Sequence, residues 1–161
     1  MLKNEMIVVV DTREQKNQHI LDYFEENGIQ YICEKLDSGD YSFDIVGHPE
    51  LSRKYCIEKK NGIDEICNNF TKKREQFKNE FDRAKENNVT MDIVIENTTW
   101  KKIYGGKYRS NMLPQALSAS IFAFARKYKM NFWFVDKSES PRLIYDLLQS
   151  EYKKAIKTGV I

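Results

Sequence analysis

Residues 55–66 read YCIEKKNGIDEI. An apolar run leads into three consecutive charges, Glu58, Lys59 and Lys60, and then into a glycine and a helix-like run carrying Asp64 and Glu65. A strand that ends on charges can simply run out into solvent. A strand end that meets other strand-end carboxylates is a cation site instead, and the neighbouring sequence supplies them.

Upstream, residues 41–46 alternate Tyr41, Phe43 and Ile45 against polar neighbours, the pattern of a half-buried strand. The loop GHPELSR follows, and 54–59 returns as the next strand. Antiparallel pairing of the two places Asp40 opposite the Glu58 region. Neighbouring strands lie about 5 Å apart, close enough for two carboxylates to share one cation. Glu58 and Lys60 are two residues apart and so face the same side of their strand. Asp11, closing the strand 7–11, approaches the same edge, and Asp64 can turn back towards it. Carboxylates gathered this way repel one another unless something positive sits between them. Oxygen-only ligands suit Mg²⁺ or Mn²⁺, which favour sites shared with a phosphate. A lysine beside such an ion can stabilise charge on a phosphoryl group or orient an attacking water. Acid-x-Lys alone carries little weight, since 14–16 and 151–153 match it too; the arrangement of three strand ends carries the reading.

The remaining pattern gives a helix over 18–26 stopped by Gly28, a strand over 30–35, a helical turn over 62–67, a helix over 71–86 and a strand over 90–96. The stretch TTWKKIYGGKYRSN reads as a loop. A small-residue helix over 114–127, a buried strand over 131–135 and a last helix to about residue 157 close the chain, with Ser140 as the cap before Pro141. This alternation predicts an α/β fold with a central mixed β-sheet flanked by α-helices, one domain over 1–161. Charged residues at 31% and hydrophobic ones at 41% suit a globular chain. The apolar runs are too short to cross a bilayer, so no membrane partner is expected, and the N-terminus is unlike a signal peptide. Three cysteines without CxxC spacing argue against zinc or disulfides and for an intracellular setting, cytoplasmic in a prokaryote or phage.

VVVDTRE (8–14), SGDY (38–41) and IEKKNGID (57–64) together resemble the nuclease domain of XPF-type, Hef-like structure-specific endonucleases, with their GD…ERKxxxD signature on a restriction-endonuclease-like core. The likeness continues through VIEN (94–97) and spans nearly the whole chain. It implies a metal-dependent DNA endonuclease acting on branched or flapped DNA, with Mg²⁺ (or Mn²⁺) and no small-molecule cofactor. Residue by residue it puts Asp40, Glu58 and Lys60 in the metal and catalytic positions, Asp64 as the last acid, and Asp11 and Glu14 as the acids of the first block. Asp11, Asp40 and Glu58 are the implied metal ligands, and Arg13 is the basic residue between the first-block acids. Lys59 stands where the family usually has arginine, which keeps charge for DNA contact but loses the planar fork. Related nuclease domains dimerise through their C-terminal part, which makes a homodimer the implied assembly. Helix-hairpin-helix and helicase modules common in such proteins do not fit this length. Two alternatives remain: a non-catalytic nucleic-acid-binding or scaffolding domain, and a sequence-specific restriction-type nuclease.

Net charge is only +2, but Lys72, Lys73, Arg74, Lys78 and Arg83 share one segment and Lys101, Lys102, Lys107 and Arg109 another. At about 100° per residue from Phe70, Phe77 and Phe81 fall on one line and Arg74 only about 40° off it. Arg74 is thus either a snorkelling side chain or an arginine reaching the scissile phosphate. Trp100, Tyr104 and Tyr108 either stack on bases or pack back on the domain. His19 and His48 share no ligand spacing and read as structural or surface residues.

Overall fold

The β-branched stretch MIVVV forms β1 (Met6–Val10), the first strand of a computed structural model that describes residues 5–160. The elements that follow are α1 (Gln18–Glu26), β2 (Tyr31–Cys33), β3 (Tyr41–Ile45), β4 (Tyr55–Lys60), α2 (Ile63–Phe70), α3 (Arg74–Glu86) and β5 (Thr90–Glu96). Then come α4 (Trp100–Tyr104), α5 (Pro114–Tyr128), β6 (Phe132–Val135) and α6 (Ser140–Ala155), which continues into a π-helical turn at Ile156–Val160. The sheet order is β2-β1-β3-β4-β5-β6. β3 is antiparallel to both β1 and β4, and the other neighbours run parallel. The expected mixed sheet is therefore present, with helices on both faces.

Alternation along the strands decides which side chain meets which layer. Tyr55 and Ile57 of β4, Phe43 and Ile45 of β3 and Val94 of β5 pack with Ile20 and Phe24 of α1 and Ile144 and Leu148 of α6. Cys56, Met91, Ile93 and Ile95 point the other way, into Ile66 and Phe70 of α2, Phe77 and Phe81 of α3, and Leu117 and Ile121 of α5. The same alternation carried to the end of β4 sends Glu58 and Lys60 towards α2 and α3, and Lys59 towards α1 and α6.

Several boundaries differ from the sequence expectation. The helix expected over 71–86 begins at Arg74, because the chain turns at Thr71–Lys73 between α2 and α3. The loop-like stretch contains α4, which forms because the Thr99 hydroxyl caps the Lys102 amide (3.1 Å). β6 is an outer strand rather than a buried one: among the described residues it pairs only with β5, and Trp133 is 36% exposed. Ser140 is not the cap of α6; Glu139 occupies that position and the Ser140 hydroxyl is used elsewhere.

Gly39 sets the approach of Asp40 to β4. Its φ is +73°, and a Cβ there would lie 2.8 Å from the Cys56 Cβ and 3.1 Å from the Ile57 carbonyl oxygen. Gly28 has a similar φ of +64° but nothing within 4 Å. Gly28→Ala should cost about 1 kcal/mol from the backbone alone. Gly39→Ala should cost about 2 kcal/mol or more, because the clash adds to the strain. Urea unfolding of the two variants measures the difference, and equal losses would remove the close approach as the reason for glycine.

Candidate active site

Three strand ends converge at one edge of the sheet and are stitched by their backbones. The Asp11 amide donates to the Asp40 carbonyl (2.8 Å), and the Asp40 amide donates to the Ile57 carbonyl (2.8 Å). The Lys59 amide then donates to Oδ2 of Asp40 (2.7 Å), holding that carboxyl against the end of β4. Glu58 lies beside it, and the Lys60 ammonium sits 3.5 Å from Oε1 of Glu58. Lys60 is nearly buried and its Nζ also lies 5.4 Å from the centre of the Phe77 ring, a cation–π contact that restricts where the ammonium can go. Glu14 completes the group from the turn after β1, and its buried Oε2 has no hydrogen-bond partner among the described residues.

A cavity of about 190 Å³ opens on this edge, bordered by Asp11, Arg13, Asp40, Glu58, Glu80 and Arg83. Burial pushes Glu58 up to about 8, and the neighbouring Asp40 carboxyl adds to the rise. Asp40 is pushed up to about 7 by burial and by Glu14. Glu14 also rises to about 7, chiefly from burial, with Lys59 opposing and Glu58 reinforcing the shift. Three acids thus resist ionising together, as expected of carboxyls awaiting a positive partner. Among the described residues no three such groups form a ready-made cage. Mg²⁺ needs none, since it binds through one or two carboxylates and completes its shell with water and phosphate. Asp40 and Glu58, with the orphaned Glu14 oxygen behind them, fit such an ion.

Asp11 does not fit the ligand role expected of it. Its Oδ1 accepts from the Arg13 amide (2.7 Å) and Nε (2.9 Å), and its Oδ2 from Arg13 Nη2 (2.8 Å) and the Leu36 amide (2.9 Å). These four bonds occupy its acceptor sites. Burial alone would raise its pKa, but the bonds from Arg13 and Leu36 outweigh that and hold it low. Asp11 is a clamp that aims Arg13, whose 63% exposed side chain stands at the cavity mouth.

Asp64 is not brought to this group. Its Oδ1 accepts from the Arg109 and Ser110 amides (2.9 and 2.8 Å), anchoring the loop before α5. Arg74 is exposed and borders a different cavity, between α2, α3 and α5. It borders that cavity beside Phe70 and Phe77, at the edge of the apolar face. Trp100 packs between Tyr104, Phe122 and Phe134, and the Tyr108 hydroxyl donates to the Met112 carbonyl, so these aromatics pack on the domain while Tyr104 stays 60% exposed.

Lys59 is the clearest correction. It was expected to reach DNA, yet its side chain is fully buried on the α1/α6 face, 3.4 Å from Oε1 of Glu96 and 2.6 Å from Oδ1 of Asn61. The other Glu96 oxygen accepts from His19 (2.6 Å) and from the Ser140 hydroxyl. Burial would raise the Glu96 pKa, but Ser140, His19 and Lys59 together lower it. Sequence reasoning missed this network, and missed Glu80 and Arg83 as cavity residues. The available signals were an acid closing the apolar strand VIE, and Glu80 and Arg83 flanking the inward-facing Phe77 and Phe81 on α3.

Residues 10–147 match the family model described as the ERCC4 domain. The chain belongs to the ERCC4 domain family. Its fold is that of XPF from Aeropyrum pernix, solved in complex with DNA: TM-score 0.67 and 21% identity, covering 93% of this chain and 66% of that one. A second structure of XPF from Aeropyrum pernix gives TM-score 0.66 and 22% identity, covering 90% and 61%. The chain thus spans just under two thirds of the length of those proteins. No curated protein matches the sequence. The XPF-type resemblance and the restriction-endonuclease-like α/β core are both borne out by these matches.

The raised carboxyls make the metal-free protein pH-sensitive. Because their folded pKa values exceed the unfolded ones, their contribution to stability is complete below about pH 4 and is lost as pH rises through 7 to 8. Thermal unfolding in chelator should show the melting temperature falling between pH 5 and pH 8, by the equivalent of roughly several kcal/mol. Glu58→Gln should flatten that fall; an equally steep fall in the variant would contradict the cluster.

Proposed function

We propose that the domain is a divalent-cation-dependent DNA endonuclease that hydrolyses phosphodiester bonds, with branched or flapped DNA as its substrate. The observation that carries this reading is the meeting of Asp40 and Glu58 at one cavity, with Lys60 paired to Glu58 behind them and Arg13 and Arg83 on the cavity border. Membership of the ERCC4 domain family supports it, as does the fold shared with a DNA-bound XPF.

Asp40 and Glu58 would hold Mg²⁺ or Mn²⁺, which when bound supplies Lewis acidity and favours both carboxylates in their ionised forms. Glu14, in contact with Asp40, keeps that carboxyl oriented. Lys60 is held between Glu58 and the Phe77 ring, so its ammonium can donate to the attacking water or to the phosphoryl oxygens as negative charge develops there. The water oxygen bonds to phosphorus and gives up a proton, one ester P–O bond breaks, and the departing oxygen takes up a proton from solvent, so that one water is consumed and no net proton is left on the protein. Arg13, aimed by Asp11, presents its fork at the mouth, where bidentate geometry suits a neighbouring phosphate. A homodimer is the assembly we favour, because Tyr104 and Phe122, both packed on Trp100, leave apolar rings exposed beside α5.

Cleavage of a flap, a four-way junction and a linear duplex, each with Mg²⁺ and with chelator, tests the proposal. The branched substrates should be cut only with Mg²⁺, and Asp40→Asn or Glu58→Gln should lower the rate by about a hundredfold or more. Equal cleavage by those variants would overturn the site. Binding without cleavage would favour a scaffolding domain, and site-specific cutting of linear duplex a restriction-type enzyme.

A further inference from the structure

A second cavity, about 470 Å³ in volume, opens between α2, α3 and α5. That size falls in the range of roughly 300–1,000 Å³ that holds small organic ligands and is too small for a duplex. Arg74, Lys78 and Lys127 border it against a single acid, Glu75. Its floor is aromatic: Phe70, Phe77, Phe124 and Tyr128 stack and tilt against one another with centroids 4.7–5.8 Å apart. Phe124 and Tyr128 are partly exposed, and the Tyr128 ring is held in place by a hydroxyl bond to Asp82 (2.7 Å). Asn69, also at the cavity, has a buried Oδ1 with no hydrogen-bond partner among the described residues, an acceptor left open for a donor from a ligand. α3 begins here without a side-chain cap, which adds a favourable field for anions.

The cavity also lies close to the candidate active site. Phe77 forms part of its floor and carries the Lys60 ammonium over its ring at 5.4 Å. The two sites are therefore one aromatic ring apart.

The geometry points to a groove for single-stranded DNA: an unpaired segment of the substrate lies between α3 and α5, its phosphates on Arg74, Lys78 and Lys127 and a base against Phe124 and Tyr128. A basic groove with aromatic faces and no base-specific code is how single strands are held without sequence preference. Duplex would leave the aromatic floor unused. This inference rests on the nuclease reading for its substrate, and it gives Arg74 a place away from the scissile phosphate.

Fluorescence anisotropy of a labelled oligothymidylate in chelator tests the groove apart from cleavage. Arg74→Ala, Lys78→Ala and Lys127→Ala combined should weaken binding about tenfold or more and reduce the logarithmic salt slope by about 2. Ser120→Phe, which fills the groove without changing charge, should weaken binding with the salt slope nearly intact. Lys54→Ala with Lys154→Ala, on the opposite face of the sheet, should bind as wild type. Wild-type binding by both groove variants overturns the inference while leaving Mg²⁺-dependent cleavage to stand or fall by itself. If the groove variants lose oligonucleotide binding but wild type cuts no DNA, the groove stands and the nuclease reading fails. If Ser120→Phe converts a dimer to a monomer in sedimentation with oligonucleotide binding unchanged, the groove is a protein interface and the inference is overturned.

Discussion

The buried pair of Lys59 and Glu96 is the constraint on which the arrangement of the site depends. Both side chains are essentially out of solvent, and they join β4 to β5, while His19 and Ser140 bring α1 and α6 onto the same carboxylate. Replacing such a pair by apolar residues is often neutral or stabilising by about 1–4 kcal/mol, whereas breaking one partner costs about 3–5 kcal/mol. Stability alone therefore gives little reason for the pair. Its value lies in register: with Lys59 held from below, its amide meets Asp40 from the side, and Glu58 and Lys60 are turned to the opposite face.

The two faces of β4 thus divide the work. One holds the Glu96 carboxylate, whose pKa Ser140, His19 and Lys59 lower; the other gathers Glu14, Asp40 and Glu58, which burial and mutual repulsion keep from ionising together. An acidic group in that condition answers strongly to a cation, because the ion removes the repulsion that raised the pKa values. Asp11 stands apart from this behaviour. Satisfied by Arg13 and Leu36, it contributes orientation, and the guanidinium it aims is a better phosphate contact than the buried Lys59.

Much of this was legible in the sequence where period-two alternation operates. The hairpin of β3 and β4, the shared face of Glu58 and Lys60 and the place of Asp40 all follow from residue parity and a loop of known length. Gly39 before Asp40 has its reason in the closeness of β4, which only coordinates reveal. What escaped reading depended on side-chain partners distant in sequence. Asp64 was claimed by two loop amides some forty-five residues away, and Ser140 by Glu96 instead of its own helix. Lys59 was expected at DNA because the resemblance sets it at the family's arginine position; parity places it on the α1/α6 face, where Glu96 makes burial tolerable. Arg74 lies beside Phe70 and Phe77, at the edge of the apolar face, but at a cavity other than that of Asp40 and Glu58.

Mn²⁺ affinity in the Lys59→Met, Glu96→Leu double variant, measured by calorimetry beside wild type, tests the central claim most directly. The apolar replacement should stay folded. The account predicts that its Mn²⁺ affinity falls about ten- to a hundredfold, as expected when the support behind metal-binding residues is lost. A folded double variant that binds Mn²⁺ as tightly as wild type would contradict it.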